Sequence, residues 1–398
     1  MSQPILVLNC GSSSIKYQML DLHAPSEAEI AVAKGMAERI GMEGGTITHT
    51  VGEDDHTILA DLPDHTAALR SIVDLFREFG PDIDSAVAVA HRVVHGGNRF
   101  REPTLIDDEV IAAVDRMAPL APLHNPPALQ GIRATARVLP GVPQVAVFDT
   151  AFFSTIPAEA YTYALPRDLT KRLGIRKYGF HGTSHQYVSQ IVSQMLNVPG
   201  LRQIVCHLGN GSSVAAINDG VAIENSMGFT PLPGLIMGTR TGDIDPGLAT
   251  YVRRQANMSA DEYDDLISKQ SGLLGLTGMS DMRDIWAAVD AGDEASHLAM
   301  DVYAHRLTMY IAGYYGLLGG AQALTFTAGI GENDFRTRAA ICERLACLGV
   351  KMDADKNLER RRDARIISTP DSAVTVLVVP TNEELSIARQ AAALLDTA

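Results

Sequence analysis

The chain has 398 residues, 46% hydrophobic and 20% charged, with a net charge of -14. That length calls for two domains, and the acidic balance argues against non-specific binding to nucleic acid or to an anionic membrane. No apolar run reaches membrane-spanning length, and the four cysteines (Cys10, Cys206, Cys342, Cys347) are too irregular for a disulfide framework or a zinc knuckle. With no signal-peptide pattern at the start, a reducing, cytoplasmic setting is expected. An acidic chain that binds anions must make its site locally positive, so arginines and lysines beside glycines are the ones to follow.

Strand-like ILVLN begins at Ile5 and SIKYQML at Ser14. The knot around them (Asn9, Gly11, Ser12, Ser13, Ser14, Lys16) reads either as a polar hairpin turn or as a loop that grips phosphate. Glycine lets the backbone approach a ligand, and successive N–H groups with serine hydroxyls bind phosphate oxygens. Alternation places Ser14, Lys16 and Gln18 on one strand face. Asn9 ends the first strand, where its amide could hold a metal-bound water. No GxxxxGK[ST] occurs, nor a GxGxxG after a strand, so neither a Walker loop nor a Rossmann site is predicted. The polar stretch from Gly41 to Asp64 predicts a hairpin or excursion at the rim.

AVAVAHRVVHGG carries Arg92 past a buried run, between His91 and His95 and ahead of Gly96-Gly97. A planar, permanent cation there suits a carboxylate or phosphate fork better than a surface salt bridge. Val94, on the same face, could touch a small apolar part of the ligand. Helices are expected over Leu105 to Met117 and Pro127 to Val138. QVAVFD ends on Asp149, which could orient a nucleophile, accept a proton, hold a metal or cap a helix.

In KYGFHGTSH, His181 and His185 would share a helix face, but a zinc pair lacks a third ligand. Thr183 or Ser184 is expected to cap a helix over Ser184 to Met195, leaving His181 in the preceding loop to donate to a developing charge. QIVCHLGNGSSVAAI then repeats the first hairpin, with Gly211-Ser212-Ser213 matching Gly11-Ser12-Ser13. Two copies so far apart imply two domains of one build. MGFTPLPGLIMGTRTGDIDPG surrounds Arg240 and is too apolar for a solvated connector.

MSDMRD offers Asp281 and Arg283 either as adenosine contacts or as a surface charge pair. A helix over Ala295 to Gly316 precedes ALTFTAGIGEN, whose Gly329, Gly331, Glu332 and Asn333 could cradle a nucleoside at a turn. VVPTNEEL contains a capping box, Thr381 with Glu384, opening a helix from Glu383 to Leu395 and leaving Glu383 for hydrated magnesium. Apolar strands alternating with amphipathic helices predict α/β layers, with ligands at the strands' carboxyl ends.

LVLNCGSSSIKY, HRVVHGG, VFDTAFF, YGFHGTSH, HLGNGSS, MGFTPLPGLIMGTRTGDIDP, AGIGEN and PTNEEL, in this order, resemble the acetate kinase family over nearly the whole chain. The family belongs to the superfamily of acetate and sugar kinases, heat-shock chaperones and actin. The resemblance implies a duplicated ribonuclease H-like (actin-like ATPase) fold with an active-site cleft between two domains, here 1–151 with 386–398, and 152–385. It implies reversible in-line phosphoryl transfer from ATP to acetate, giving acetyl phosphate and ADP. Asn9 and Glu383 would hold Mg²⁺ (or Mn²⁺), and Ser12, Ser14 and Lys16 would attend the phosphates. Arg92 would bind the carboxylate, and Arg240 the carboxylate or the transferring phosphoryl group; His181 would stabilise the transition state. Asp149 would be the essential carboxylate, as base or as orienter. His207, Leu208, Gly209, Asn210 and Gly211, with Asp281, Met282, Arg283, Gly329, Ile330, Gly331, Glu332 and Asn333, would form the nucleotide site. Val94, Leu123, Phe180 and Pro231 would receive the methyl group, and valine rather than a smaller residue favours acetate over propionate. The family also implies a homodimer joined through the second domain. A nucleotide-gated binding ATPase of the actin type is the contrasting possibility; it would have no use for Arg92, His181 and Arg240.

Overall fold

The computed structural model describes residues 3–24, 30–122 and 124–396. The chain divides into two compact units, Met1–Ser154 with Asn382–Ala398, and Thr155–Thr381.

The first unit is built on β1 (Ile5–Cys10), β2 (Ser14–Leu20), β3 (Ala31–Glu38), β4 (Gly45–Val51), β5 (Asp54–Ala60), β6 (Ala88–Val93), β7 (Thr104–Leu105) and β8 (Gln144–Phe148), ordered β5-β4-β3-β2-β1-β6-β8-β7. β1 is antiparallel to β2 and parallel to β6, which is parallel to β8. Ile5, Leu6, Val7 and Leu8 are all buried, so both faces of β1 are covered, as continuous apolar runs require. Register makes the strand ends level: Leu8 pairs with His91 and Val93 with Phe148. Asn9, Arg92 and Asp149 therefore leave neighbouring strands side by side. The helix Glu383–Leu395 packs on β1, β6 and β8.

The helix His65–Phe79 shows why its sequence is helical. Asp64 caps it by accepting from the Ala67 N–H at 2.8 Å, and Ala68, Leu69, Ile72, Val73 and Phe76 recur at helical spacing and are buried. Each large apolar side chain buried there contributes roughly 1.5–3 kcal/mol. Gly80, at φ 81, ends it. The expected excursion after Gly41 is the β4–β5 hairpin, at the sheet's outer edge.

The second unit repeats the plan with β9 (Arg202–Leu208), β10 (Ser212–Asn218), β11 (Val221–Asn225), β12 (Ala323–Thr327), β13 (Arg365–Ile366) and β14 (Thr375–Val378), ordered β11-β10-β9-β12-β14-β13. β9 is antiparallel to β10 and parallel to β12, which is parallel to β14. The long helix Glu294–Leu317 buries Tyr303, Leu307 and Ile311 in the cluster that also holds Ile204, Val214 and Phe326.

The duplication is real at the level of topology, but the residue match differs from the one read in the sequence. Gly11 opens its turn, its N–H donating to the Ser14 carbonyl at 2.8 Å; the residue in that place is Gly209, which donates to the Gly211 carbonyl at 3.1 Å. Gly211 closes the second turn, and Ser212 and Ser213 already lie in β10. The first turn has the longer unpaired stretch, so matching Gly-Ser-Ser to Gly-Ser-Ser slips the alignment.

Gly131, inside the helix Asn125–Val138, has no room for a Cβ, which would meet Cys10 of β1. Gly131→Ala is expected to cost about 1–3 kcal/mol by overpacking, read as a lower urea midpoint. An unchanged midpoint would show that the helix backs away freely.

Candidate active site

At the carboxyl end of the first sheet, Arg92 meets two carboxylates. Its Nε donates to both Asp149 oxygens at 3.2 Å, and its Nη2 donates to Asp149 Oδ2 at 2.7 Å. Nη2 also lies 3.2 Å from Glu383 Oε2. Burial works against the guanidinium's charge, but Asp149 and Glu383 outweigh it and raise its pKa. Asp149 is 1% exposed. Its carboxylate is held by the Arg92 fork.

The capping box expected at Thr381 is not formed. Asn382 caps the helix Glu383–Leu395, accepting from the Leu385 N–H at 3.0 Å. Thr381 instead donates its N–H to Glu332, and its hydroxyl lies 2.8 Å from that of Ser184. Glu384, expected to be structural, ion-pairs with Lys16 at 2.5 Å. Lys16 extends from β2 opposite Asn9 on β1, half in solvent. Of the serines, Ser12 is exposed and Ser14 half-buried. Val94 is half-buried just past β6, whereas Leu123 lies outside the described residues.

In the second unit, His181 is itself the cap residue of the helix Gly182–Leu196, not part of a loop ahead of Thr183. It is held at φ 60, a left-handed conformation uncommon outside glycine. Its Nδ1 lies 2.9 Å from Ser213 Oγ, and its ring stacks on His207 at 4.2 Å between centroids. No group of three metal-ligating side chains occurs among the described residues. Phe180 is buried beside it. The loop around Arg240 is irregular, and Met227, Leu235, Ile236 and Met237 bury it. Arg240 Nη1 donates to the Pro231 carbonyl at 3.0 Å, and burial lowers its pKa. Gly211 is what lets ring and guanidinium approach: a Cβ there would sit 3.3 Å from His181 Nε2 and 3.7 Å from Arg240 Nη1.

A cavity of about 800 Å³ opens beside this group, lined by Gly209, Asn210, Asp281, Met282, Arg283, Gly329, Ile330, Glu332 and Asn333 among others. His207, Leu208, Gly211 and Gly331 are not in its wall. Its volume suits a nucleotide-sized ligand. Asp281 and Arg283 pair with each other at 2.6 Å while Asp281 caps the helix Met282–Asp290. AGIGEN is a short helix, Ala328–Asn333, where a turn was expected. Glu332 accepts from the Ala328 and Thr381 N–H groups, so its carboxylate braces the wall. The wall also holds Gly238, Trp286, Arg336 and the run Arg360, Arg361, Arg362, which the sequence reading passed over. Three consecutive arginines in an acidic chain were the available signal. Gly238 could have been found only from the fold, where a Cβ would strike the Asn210 side chain.

Residues 4–389 match the family model described as the acetokinase family. The chain belongs to that family. It is 52% identical over 396 residues to an acetate kinase of Leifsonia xyli, covering 97% of this chain and 98% of that one. An acetate kinase structure from Porphyromonas gingivalis is 42% identical with a TM-score of 0.92, covering 99% of this chain and all of the other (100%). A propionate kinase structure from Francisella tularensis is 39% identical, also with a TM-score of 0.92, covering 98% of each. This acetokinase-family member therefore has the duplicated actin-like ATPase fold and is a phosphotransferase.

Glu383 generates a test. Burial raises its carboxyl above the ordinary 4.5; Arg92 opposes this, and Asp149 and Glu384 add to it. A raised folded pKa means that the native state holds the proton more tightly. The cost of ionising Glu383 is absent below its unfolded value and full above the raised one. Glu383→Gln should therefore melt higher than the parent at pH 7 in chelator, with the gap closing as pH falls toward about 4.5. A lower melting point at pH 7 would mean that pairing with Arg92 outweighs burial.

Proposed function

We propose that this protein catalyses reversible phosphoryl transfer between ATP and acetate, giving ADP and acetyl phosphate. The observation that carries the reading is Arg92, fixed by a buried carboxylate at the end of a parallel strand. Phosphoryl transfer asks mainly for positioning and charge neutralisation, and a planar cation held in one orientation provides both for a small carboxylate. Acetate is already ionised at neutral pH, so no strong base is needed to make the nucleophile. Asp149 accordingly orients Arg92. His181 and Arg240 are the second unit's donors toward the transferring phosphoryl group, while Ser12, Ser14 and Lys16 attend the phosphates. Val94, Phe180 and Pro231 are assigned to the methyl group.

Mg²⁺ fits the first unit's donor chemistry. Asn9 and Glu383 offer hard oxygens, and Asp149, Glu383 and Glu384 outnumber the paired cations Arg92 and Lys16. Bound there, the ion (or Mn²⁺) would neutralise phosphate charge. A homodimer is supported by the helix Glu294–Leu317, whose Leu298 and Met309 share an exposed face, 62% and 56% accessible. The four cysteines carry no disulfide, which supports a reducing, cytoplasmic location.

Incubation with Mg-ATP, acetate and hydroxylamine should yield acetyl hydroxamate. Propionate should react with a lower kcat/KM, because one methylene in an apolar pocket is worth only about 1–3 kcal/mol. Hydroxamate from no short-chain acid would overturn the reading. Arg92→Lys, which keeps the charge but loses the fork, should lower kcat/KM for acetate roughly 10- to 100-fold, a charged hydrogen bond contributing about 1.5–3 kcal/mol. Light scattering should give twice the 42.7 kDa chain mass.

A further inference from the structure

One hydroxyl in the second unit stands between two histidine rings. Ser213 Oγ lies 2.9 Å from His181 Nδ1 and 2.7 Å from His185 Nε2. Ser213 and His185 are wholly buried. A hydroxyl carries one proton, so it donates to one ring while accepting from the other. The protonation states of the two rings are thereby tied together.

The surroundings choose a direction. Burial, with His207 adding to it, holds the His185 pKa well below its ordinary 6.5, so His185 is neutral and has a single N–H. Arg240 and His181 Nε2 approach the same point beside Gly211, and His207 stacks on the His181 ring. As a neutral ring His181 carries its one proton either on Nδ1, toward Ser213, or on Nε2, on the side of Gly211 and Arg240. A phosphoryl oxygen accepts hydrogen bonds, so a bare Nε2 on that side would repel it.

We infer that Ser213 and His185 are positioning residues that set the tautomer of His181: His185 Nε2–H donates to Ser213, the Ser213 hydroxyl donates to His181 Nδ1, and the His181 proton is held on Nε2. The choice of Nε2 over Nδ1 rests on the phosphotransferase reading above, because the phosphoryl oxygen is what calls for a donor on that side; the spectrum below reads the tautomer independently of activity. The left-handed backbone at His181 aims the ring, and the relay decides which nitrogen is the donor. No proton is gained or lost; each stays where the chain of acceptors puts it.

The test is a two-bond ¹H–¹⁵N correlation on histidine-labelled protein at neutral pH, with Ser213→Ala and Ser213→Thr beside the parent. The parent should show His181 neutral with the proton on Nε2. Ser213→Ala should mix or switch the tautomer and lower kcat roughly 10- to 100-fold, with the acetate KM within about twofold. Ser213→Thr, which keeps the hydroxyl, should restore both. An Nδ1–H tautomer or an imidazolium in the parent overturns the inference, as does a folded Ser213→Ala with unchanged kcat. Should Ser213→Ala fail to fold, the parent spectrum alone decides. An Nε2–H tautomer in a parent that makes no acyl phosphate would sink the functional reading and leave the relay standing.

Discussion

The ion pair between Arg92 and Asp149 constrains the first unit more than any other contact. Both groups are withdrawn from water at the ends of adjacent parallel strands, and a buried pair repays its desolvation only when its geometry is good. Strand register therefore has to be correct to the residue: a slip of one position would turn Arg92 to the other face of the sheet. The covered faces of β1, the helix Glu383–Leu395 packed on three strands, and the absent Cβ at Gly131 all hold that register. Scaffold and chemistry meet at this point, because the same alignment brings Asn9 and Glu383 to the same end of the sheet.

The second unit solves a different problem with the same topology. Beside the turn at Gly211 it gathers His181, Ser213, His207 and the guanidinium of Arg240. Here backbone conformation does the positioning. His181 sits at φ 60 and Ala328 at φ 65, and each marks the start of a helix. Such conformations persist only where surrounding contacts over-determine them. Glu332 supplies those contacts at Ala328, and the Ser213 hydroxyl bonds the ring of His181.

Much of this was legible in the sequence. Buried parallel strands write themselves as apolar runs, so β1, β6, β8, β9, β12 and β14 were visible, and with them Asn9, Arg92 and Asp149 at their ends. The repeated hairpin revealed the duplication. What failed was local. Thr381 and Glu384 satisfied a capping-box spacing, yet Asn382 took the cap because Thr381 and Glu384 both had tertiary partners in Glu332 and Lys16. His181 was placed in a loop because nothing in its neighbours announces a left-handed residue. Ser213 drew no attention of its own because the sequence match paired it with Ser13, out of register. Which carboxylate meets which cation is a property of three-dimensional register, and no spacing rule encodes it.

The carboxylates around Arg92 and Lys16 act as internal counter-ions. In a basic surface patch, small ions from solvent neutralise the cations, and an incoming anion gains by releasing them. Here Asp149, Glu383 and Glu384 already occupy that role. An anionic ligand at Arg92 would meet a cation already neutralised by protein carboxylates, with little dissolved salt to release. On the function proposed above, binding there would depend weakly on ionic strength, and discrimination would rest on fit.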